Sequence, residues 1–220
     1  MLTARKEEFL RKPEPVCALS DLRFRALLSA AEWEDLPPAT RKRFSKRLAH
    51  GETAIYAGEV VKTWFSPLGR ALALAARLIG GPLPTGLDTG VPSIVTVTED
   101  MALGGQVWTR LYARRNGFPQ VIHSAKRFSG PTGLEEYVGW GISMALKVSV
   151  EDRCLSFRST DYFLRLGKLR LRLPKWLTLG ALTVQHIDIG NGMFLFWLDI
   201  EHPRFGKLLE QSVIFRDAAP

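Results

Sequence analysis

A long series of short segments, each alternating apolar and polar residues, occupies the chain from Gly105 to Phe215. The clearest segment covers residues 165–177, R-L-G-K-L-R-L-R-L-P-K-W-L, in which cations alternate with leucines. Successive side chains of a β-strand point to opposite faces of its sheet, so this segment predicts one apolar and one cationic face. We expect Leu169, Leu171 and Leu173 to line or back an apolar interior, with the cations outside.

The same reasoning predicts a strand series along most of the chain. The predicted strands cover residues 53–65, 91–98, 106–114, 119–128, 134–138, 142–150, 153–162, 168–173, 181–189, 193–200 and 207–215. Short connections such as Asn116-Gly117 and Asn191-Gly192 are typical of tight hairpins, which makes neighbouring strands antiparallel. An open sheet of this length would expose its edges. We therefore predict an α+β, mainly β fold: a strongly curved antiparallel sheet or incomplete β-barrel of about ten strands.

Helices are predicted mainly before the strands. Residues 1–19 are charged and contain two prolines, so we expect a flexible extension before a single domain over residues 20–220. Ser20 or Asp21 can cap a first N-terminal helix, and Pro38 fits the first turn of a second, strongly basic one.

One further helix is predicted inside the strand series, directly after the first strand. Apolar side chains repeat at helical spacing over residues 68–79, and Gly80-Gly81 ends the pattern. This helix would plug or cover the mouth of the curved sheet.

Composition limits the compartment and the partners. The 220 residues include 30 Lys and Arg against 22 Asp and Glu, a net charge of +8. This surplus favours anionic partners, with a solvated basic surface as the alternative. Two cysteines are too few for a disulfide framework, and no motif predicts a metal or other cofactor. The N-terminus lacks a signal-peptide core, so we expect a cytoplasmic protein, at most peripheral to a membrane.

Several spaced motifs resemble one protein family. The motifs are F-R-A-L-L at 24–28, L-P-P-A-T-R at 36–41, Gly58-Glu59, L-P-T-G at 83–86, W-T-R-L-Y at 108–112 and L-P-K-W-L at 173–177. Together they resemble the bacterial family called domain of unknown function 4166, over roughly residues 21–217. Members of that family occur alone or after a saccharopine-dehydrogenase-like NAD(P)-binding domain. The resemblance implies a fold and an NAD(P)-dependent oxidoreductase as a partner, but no catalytic residues.

Trp108, Arg110 and Tyr112 lie on one face of a predicted strand. Facing inward, the arginine between two aromatic rings could grip a carboxylate or phosphate in a cavity. Facing outward, the same three side chains would only stabilise the sheet surface. His123 on the next strand is a further ligand-binding candidate, as a group that titrates near neutral pH.

Glu136 and Trp140 are further cavity candidates. Glu135 and Glu136 are adjacent on a strand, so they point to opposite faces and only one can face inward. His186 with Asp188, and Asp199 with His202, could form a metal or proton-transfer cluster if their strands pair at one end of the sheet. Polar residues on a solvated face are the alternative. The chain has no G-x-S-x-G elbow and no phosphate-binding loop, which favours a binding protein over an enzyme.

Cations beside apolar residues form two candidate surfaces for a membrane or another anion. The candidates are Arg41, Lys42, Arg43, Lys168, Arg170, Arg172, Lys175 and Trp176. Tryptophan beside lysine suits an interface with acidic lipid. No recognition helix or RNA-binding motif accompanies these residues, so no nucleic-acid partner is predicted.

The leading hypothesis is a domain that binds a hydrophobic or lipid-like small molecule in an apolar pocket, with Arg110 as its polar anchor. Two alternatives remain open. The same cavity could serve an enzyme that uses His123, Arg110 or an inward glutamate, or the chain could be an accessory domain of an NAD(P)-dependent oxidoreductase.

Overall fold

The computed structural model describes residues 21–48 and 51–217. The strands are β1 Ala54–Phe65, β2 Val91–Asp100, β3 Gly105–Tyr112, β4 Gln120–Arg127, β5 Glu135–Gly139, β6 Ile142–Glu151, β7 Cys154–Leu166, β8 Leu169–Arg172, β9 Ala181–Gly190, β10 Met193–His202 and β11 Gly206–Asp217. The helices are α1 Ala30–Asp35, α2 Pro38–Phe44 and α3 Pro67–Ala75, with 3-10 turns at Arg25–Leu27, Ala76–Ile79 and Lys175–Leu177. The expected extension over 1–19 and the cap candidate Ser20 lie outside the described residues.

Ten of these strands form a closed antiparallel barrel. β1 to β7 pair in chain order, β9 pairs with β7, and β10 and β11 continue the series back to β1. This confirms the predicted strongly curved antiparallel sheet, which closes into a barrel. Among the described strands, closure leaves no long unpaired edge that could pair with another chain.

β8 is an additional strand that pairs with β7 alone among the described strands, and its position corrects one expectation. Leu169 and Leu171 are 56% and 42% exposed rather than turned into the interior. The ring of ten strands closes without β8, so neither face of this hairpin strand is covered. Of the three leucines expected at the interior, only Leu173, which follows β8, lines a cavity inside the barrel.

The barrel wall parts between β7 and β9. These strands share four residue pairs, after which β7 pairs with β8 instead. Residues 173–180 fill the resulting gap. Side chains replace the missing backbone hydrogen bonds between β7 and β9. The Leu182 amide donates to Ser159 Oγ at 2.9 Å, and the Tyr162 hydroxyl donates to the Gly180 carbonyl at 3.0 Å.

The N-terminal helical region differs from its prediction. Instead of a helix capped by Ser20 or Asp21, the described chain from residue 21 to α1 forms only a 3-10 turn. The Asp21 carboxylate accepts from the Arg23 backbone amide at 3.0 Å and from the Arg23 side chain, so it is not free to cap. α1 begins after Ser29, whose hydroxyl and backbone form a reciprocal capping box with Glu32.

The N-terminal segment closes one end of the barrel with aromatic side chains. The Phe24 and Phe44 rings lie 5.2 Å apart, and both pack on Phe157 of β7. Trp33 and Leu36 belong to the same buried cluster. This N-terminal plug, formed by Phe24, Trp33, Leu36 and Phe44, is therefore part of the hydrophobic core.

The opposite end is covered by α3 and the segment that follows it. The Ser66 amide donates to the Leu208 carbonyl at 3.0 Å, which fixes the start of α3 against β11. Beyond α3, the Gln120 side chain accepts from the Thr85 amide at 2.9 Å and donates to the Leu83 carbonyl at 2.9 Å. These bonds hold Leu83 over the interior, where it is buried.

Gly58 allows β1 to pass very close to β11. A Cβ at this position would overlap the Ile214 carbonyl oxygen and approach the Phe215 ring to 2.7 Å. We expect Gly58→Ala to lower the free energy of unfolding by about 1–3 kcal/mol, the usual cost of overpacking. Urea unfolding measures this, with Gly86→Ala as control because a Cβ there meets open space. Equal stability of the two variants would contradict the close-contact explanation.

Candidate ligand cavity

The barrel contains a cavity of about 210 Å³. Its wall is mainly apolar and includes Ile122, Met144, Phe157 and Phe196. It extends toward the end covered by the segment after α3 and by residues 173–180. The interior thus leaves room for a small molecule beside the packed N-terminal plug.

Alternation along β3 turns the W-T-R-L-Y motif inward. Trp108, Arg110 and Tyr112 all line the cavity, whereas the intervening residues point away. Burial raises the pKa of the Tyr112 hydroxyl, with the positive charge of Arg110 acting in the opposite direction. Tyr112 is therefore a neutral hydroxyl beside a guanidinium in the same cavity.

Three charged side chains from β3, β4 and β5 meet on this wall. Glu136 lies opposite Lys126 in the β4–β5 register, and its carboxylate is 3.2 Å from the Lys126 ammonium. The Arg110 guanidinium donates to Glu136 at 3.2 Å and to Ser124 Oγ at 3.1 Å. Two cations therefore share one carboxylate.

Burial and charge act against each other in this cluster. Burial alone would raise the pKa of Glu136, but Lys126 and Arg110, together with hydrogen bonds from Ser124 and Lys126, lower it to about 2. Burial lowers the pKa of Lys126, an effect that Arg110 adds to and Glu136 opposes. Glu136 is thus ionised throughout the physiological range.

Aromatic rings surround the lysine. The Lys126 nitrogen lies 4.8 Å from the centroid of the Trp108 ring and 5.6 Å from that of Phe157. Such faces stabilise a desolvated cation. The sequence interpretation missed Lys126, although its spacing from Ile122 and Ser124 places it on the inward face of β4.

Two of the six ligand-binding candidates lie away from the cavity. His123 is exposed on the outer face of β4, where its Nδ1 lies 3.1 Å from Thr109 Oγ1. It is one residue out of phase with the inward Ile122 and Ser124. Trp140 occupies the β5–β6 turn with a φ of 53° and is 72% exposed. The other four, Trp108, Arg110, Tyr112 and Glu136, share the cavity wall.

Some of the candidate membrane-contact residues form ion pairs with described residues and others do not. Lys168, Lys175 and Trp176 are exposed near the gap-filling segment. Arg170 forms an ion pair with Glu135 and Arg172 one with Asp161.

Cations on α2 also differ from one another. Lys42 is exposed, and Arg41 pairs with Glu34. The Arg43 side chain is buried and contacts both Asp188 and Asp217 at 3.0 Å, so it fixes α2 to the barrel and cannot serve as a surface contact.

Of the two alternatives for His186, Asp188, Asp199 and His202, the His/Asp cluster does not form. Asp188 lies opposite Phe194 and Asp199 lies opposite Thr183, near the two opposite ends of the β9–β10 pair. The antiparallel register therefore keeps Asp188 and Asp199 apart instead of bringing them to one end of the sheet. Within residues 21–48 and 51–217, no group of three potential metal ligands occurs.

His186 instead lies in an aromatic cluster beneath the N-terminal plug. Its ring stacks on Phe194 at 4.6 Å and meets the edges of Phe44 and Phe196 at 5.3 Å. Neither ring nitrogen has a hydrogen-bond partner among the described residues. Burial first, and then the charge of Arg43, lower the pKa of His186 to about 3 despite Asp188 and Asp217.

Among the described helices, none combines the length and apolar character needed to cross a membrane.

Fold and cavity define a closed antiparallel β-barrel domain with a charged cluster on an otherwise apolar inner wall. The family model for domain of unknown function DUF4166 matches residues 36–215, so the chain belongs to that family. No curated protein and no solved structure gives a significant match. The structure accounts for three of the motifs. Gly58 allows a close contact between strands, residues 83–86 cover the cavity, and residues 108–112 form part of its wall.

Proposed function

We propose that this domain binds a hydrophobic, lipid-like small molecule inside the barrel. The observation that carries the proposal is the cavity of about 210 Å³ inside the barrel, whose lining is mainly apolar. Protein interiors normally pack without voids of this size, because each void sacrifices dispersion contacts. An apolar ligand would restore these contacts and remove its own surface from water.

The distribution of polar groups also supports a binding role. Ligand pockets are typically apolar with a few polar groups that fix orientation. Here the charged groups are concentrated on β3, β4 and β5, while β2, β9 and β10 present Val95, Val184 and Phe196. One wall can therefore orient a ligand while the others bury it.

A pair of adjacent substitutions on β2 tests the proposal. Val95 faces the cavity and Ile94 faces out with 39% exposure. We expect Val95→Phe to weaken binding of the neutral hydrophobic dye Nile red by about tenfold or more, because the added ring occupies the cavity. Ile94→Phe should leave binding unchanged. Fluorescence titration at pH 7.5 measures both affinities.

Two results would overturn this assignment. The first is that the unsubstituted protein fails to bind Nile red or to yield any apolar molecule on solvent extraction. The second is that Ile94→Phe and Val95→Phe weaken Nile red binding equally, since that result would place the bound dye on the surface of the barrel.

A further inference from the structure

The cavity wall carries an excess of positive charge. Arg110 and Lys126 face the cavity, and Glu136 is the one acidic side chain among the described residues that line it. The Lys126 and Glu136 side chains are only 8% and 7% exposed, so water screens this cluster poorly. A desolvated unit of charge without a counter-charge is unfavourable in an apolar interior.

Hydrogen-bond donors remain available beside that excess charge. A guanidinium has five N–H groups, and Arg110 uses its two terminal nitrogens towards Ser124 and Glu136. The Tyr112 hydroxyl, two residues along the same strand face, makes no hydrogen bond to the described part of the protein. Arg110 and Tyr112 can therefore both donate to one anionic group within the cavity.

We propose that the ligand is a monoanionic amphiphile whose carboxylate, or a similar singly charged group, is bound by Arg110 and Tyr112 while its apolar chain fills the cavity. This inference rests on the proposed function and specifies the chemistry of the ligand. One negative charge balances the one excess positive charge of the Arg110, Lys126 and Glu136 cluster. A guanidinium binds a carboxylate through directed, charge-assisted hydrogen bonds.

A neutral alcohol or a dianionic phosphate fits this wall less well. The alcohol leaves the excess cation uncompensated. The phosphate brings a second negative charge next to the ionised Glu136, which is already committed to both cations. Electrostatic matching therefore selects by headgroup charge, while the apolar walls select only by size.

Displacement of Nile red by three twelve-carbon probes tests this inference. The probes are dodecanoate, dodecanol and dodecyl phosphate, each at pH 8 and below its aggregation concentration. We expect dodecanoate to bind at least about tenfold more tightly than either of the others, since one well-formed charged contact is worth that factor or more.

Arg110→Met should abolish the preference while dodecanol binding stays within about threefold. Arg158→Met, on the exposed outer face of β7, is the matched control and should keep the preference.

A second variant distinguishes the role of Arg110 from a general disturbance of the cavity wall. The double substitution Lys126→Met and Glu136→Gln removes one charge of each sign and leaves Arg110 as the single charge on the wall. It should retain the preference for dodecanoate.

The outcomes separate this inference from the proposed function. Equal binding of dodecanoate and dodecanol would overturn the anionic headgroup, and a preference that survives Arg110→Met would overturn its binding by Arg110. Both results leave the hydrophobic cavity intact. Tighter binding of dodecyl phosphate would overturn the monoanionic class. Failure of Nile red and all three probes to bind would overturn the proposed function itself.

Discussion

Glu136→Gln is expected to destabilise the protein by about 3–5 kcal/mol, the usual cost of breaking a buried ion pair by removing one partner. The substitution keeps the shape of the side chain but leaves Lys126 and Arg110 facing each other without a counter-charge. Urea unfolding at pH 7.5 measures the change. Glu201→Gln, at an exposed position of β10, should change stability by less than about 0.5 kcal/mol.

Removing Lys126 together with Glu136 separates the charge effect from a packing effect. If the penalty comes from uncompensated charge, Lys126→Met combined with Glu136→Gln should recover most of the lost stability. A loss below about 1 kcal/mol in the single variant would contradict a strong interaction in this cluster.

The contribution of Glu136 to stability should also appear when the protein is unfolded at low pH. The native pKa of Glu136 is about 2, against an ordinary value of 4.5. A lowered native pKa stabilises the folded state above pH 4.5, and this stabilisation, about 3 kcal/mol, is lost as the pH falls from 4.5 towards 2. The glutamine variant should lack that part of the acid sensitivity.

The second large effect is expected for His186. The native pKa of about 3 lies below the ordinary 6.5, so the unfolded chain takes up a proton at a pH where the folded chain does not. Stability contributed by the neutral ring is therefore complete above pH 6.5 and is lost as the pH falls towards 3. Between pH 7.5 and pH 5 this group alone should remove about 2 kcal/mol.

His186→Phe should remove this slope, because phenylalanine preserves the aromatic contacts with Phe44, Phe194 and Phe196. Unfolding by urea at pH 7.5 and pH 5 measures the slope. The exposed His123, substituted by phenylalanine, is the control and should retain the dependence of the unsubstituted protein. An unchanged slope in His186→Phe would assign the pH dependence to other groups.

Most of the fold could be predicted from the sequence because alternation and turn residues are local signals. All eleven predicted strand segments contain a strand. Closure could not be predicted in this way, since it depends on pairings between strands that do not follow each other in the sequence, namely β1 with β11 and β7 with β9. The role of β8 was misinterpreted because a hairpin outside the barrel can carry the same alternation as a strand within it.

The candidate site was only partly predictable. β3 carries polar side chains on both faces, so the inward direction of Trp108, Arg110 and Tyr112 became clear only from the closed barrel. Lys126 was missed because a lysine in a strand normally marks the solvent face. Its partner Glu136 lies on a different strand, and sequence spacing gives no information about that contact.

We expect the parting of β7 and β9 to affect the kinetics of ligand exchange as well as the shape of the barrel. A barrel with backbone hydrogen bonds between all neighbouring strands resists opening along its whole circumference. In this barrel, the missing backbone hydrogen bonds between β7 and β9 are replaced by the Ser159 and Tyr162 side-chain contacts and by residues 173–180. Breaking a few such contacts requires less free energy than separating two full strands. Exchange of a molecule held inside would then be governed by the frequency of this local opening, so that residence time and affinity could be altered independently.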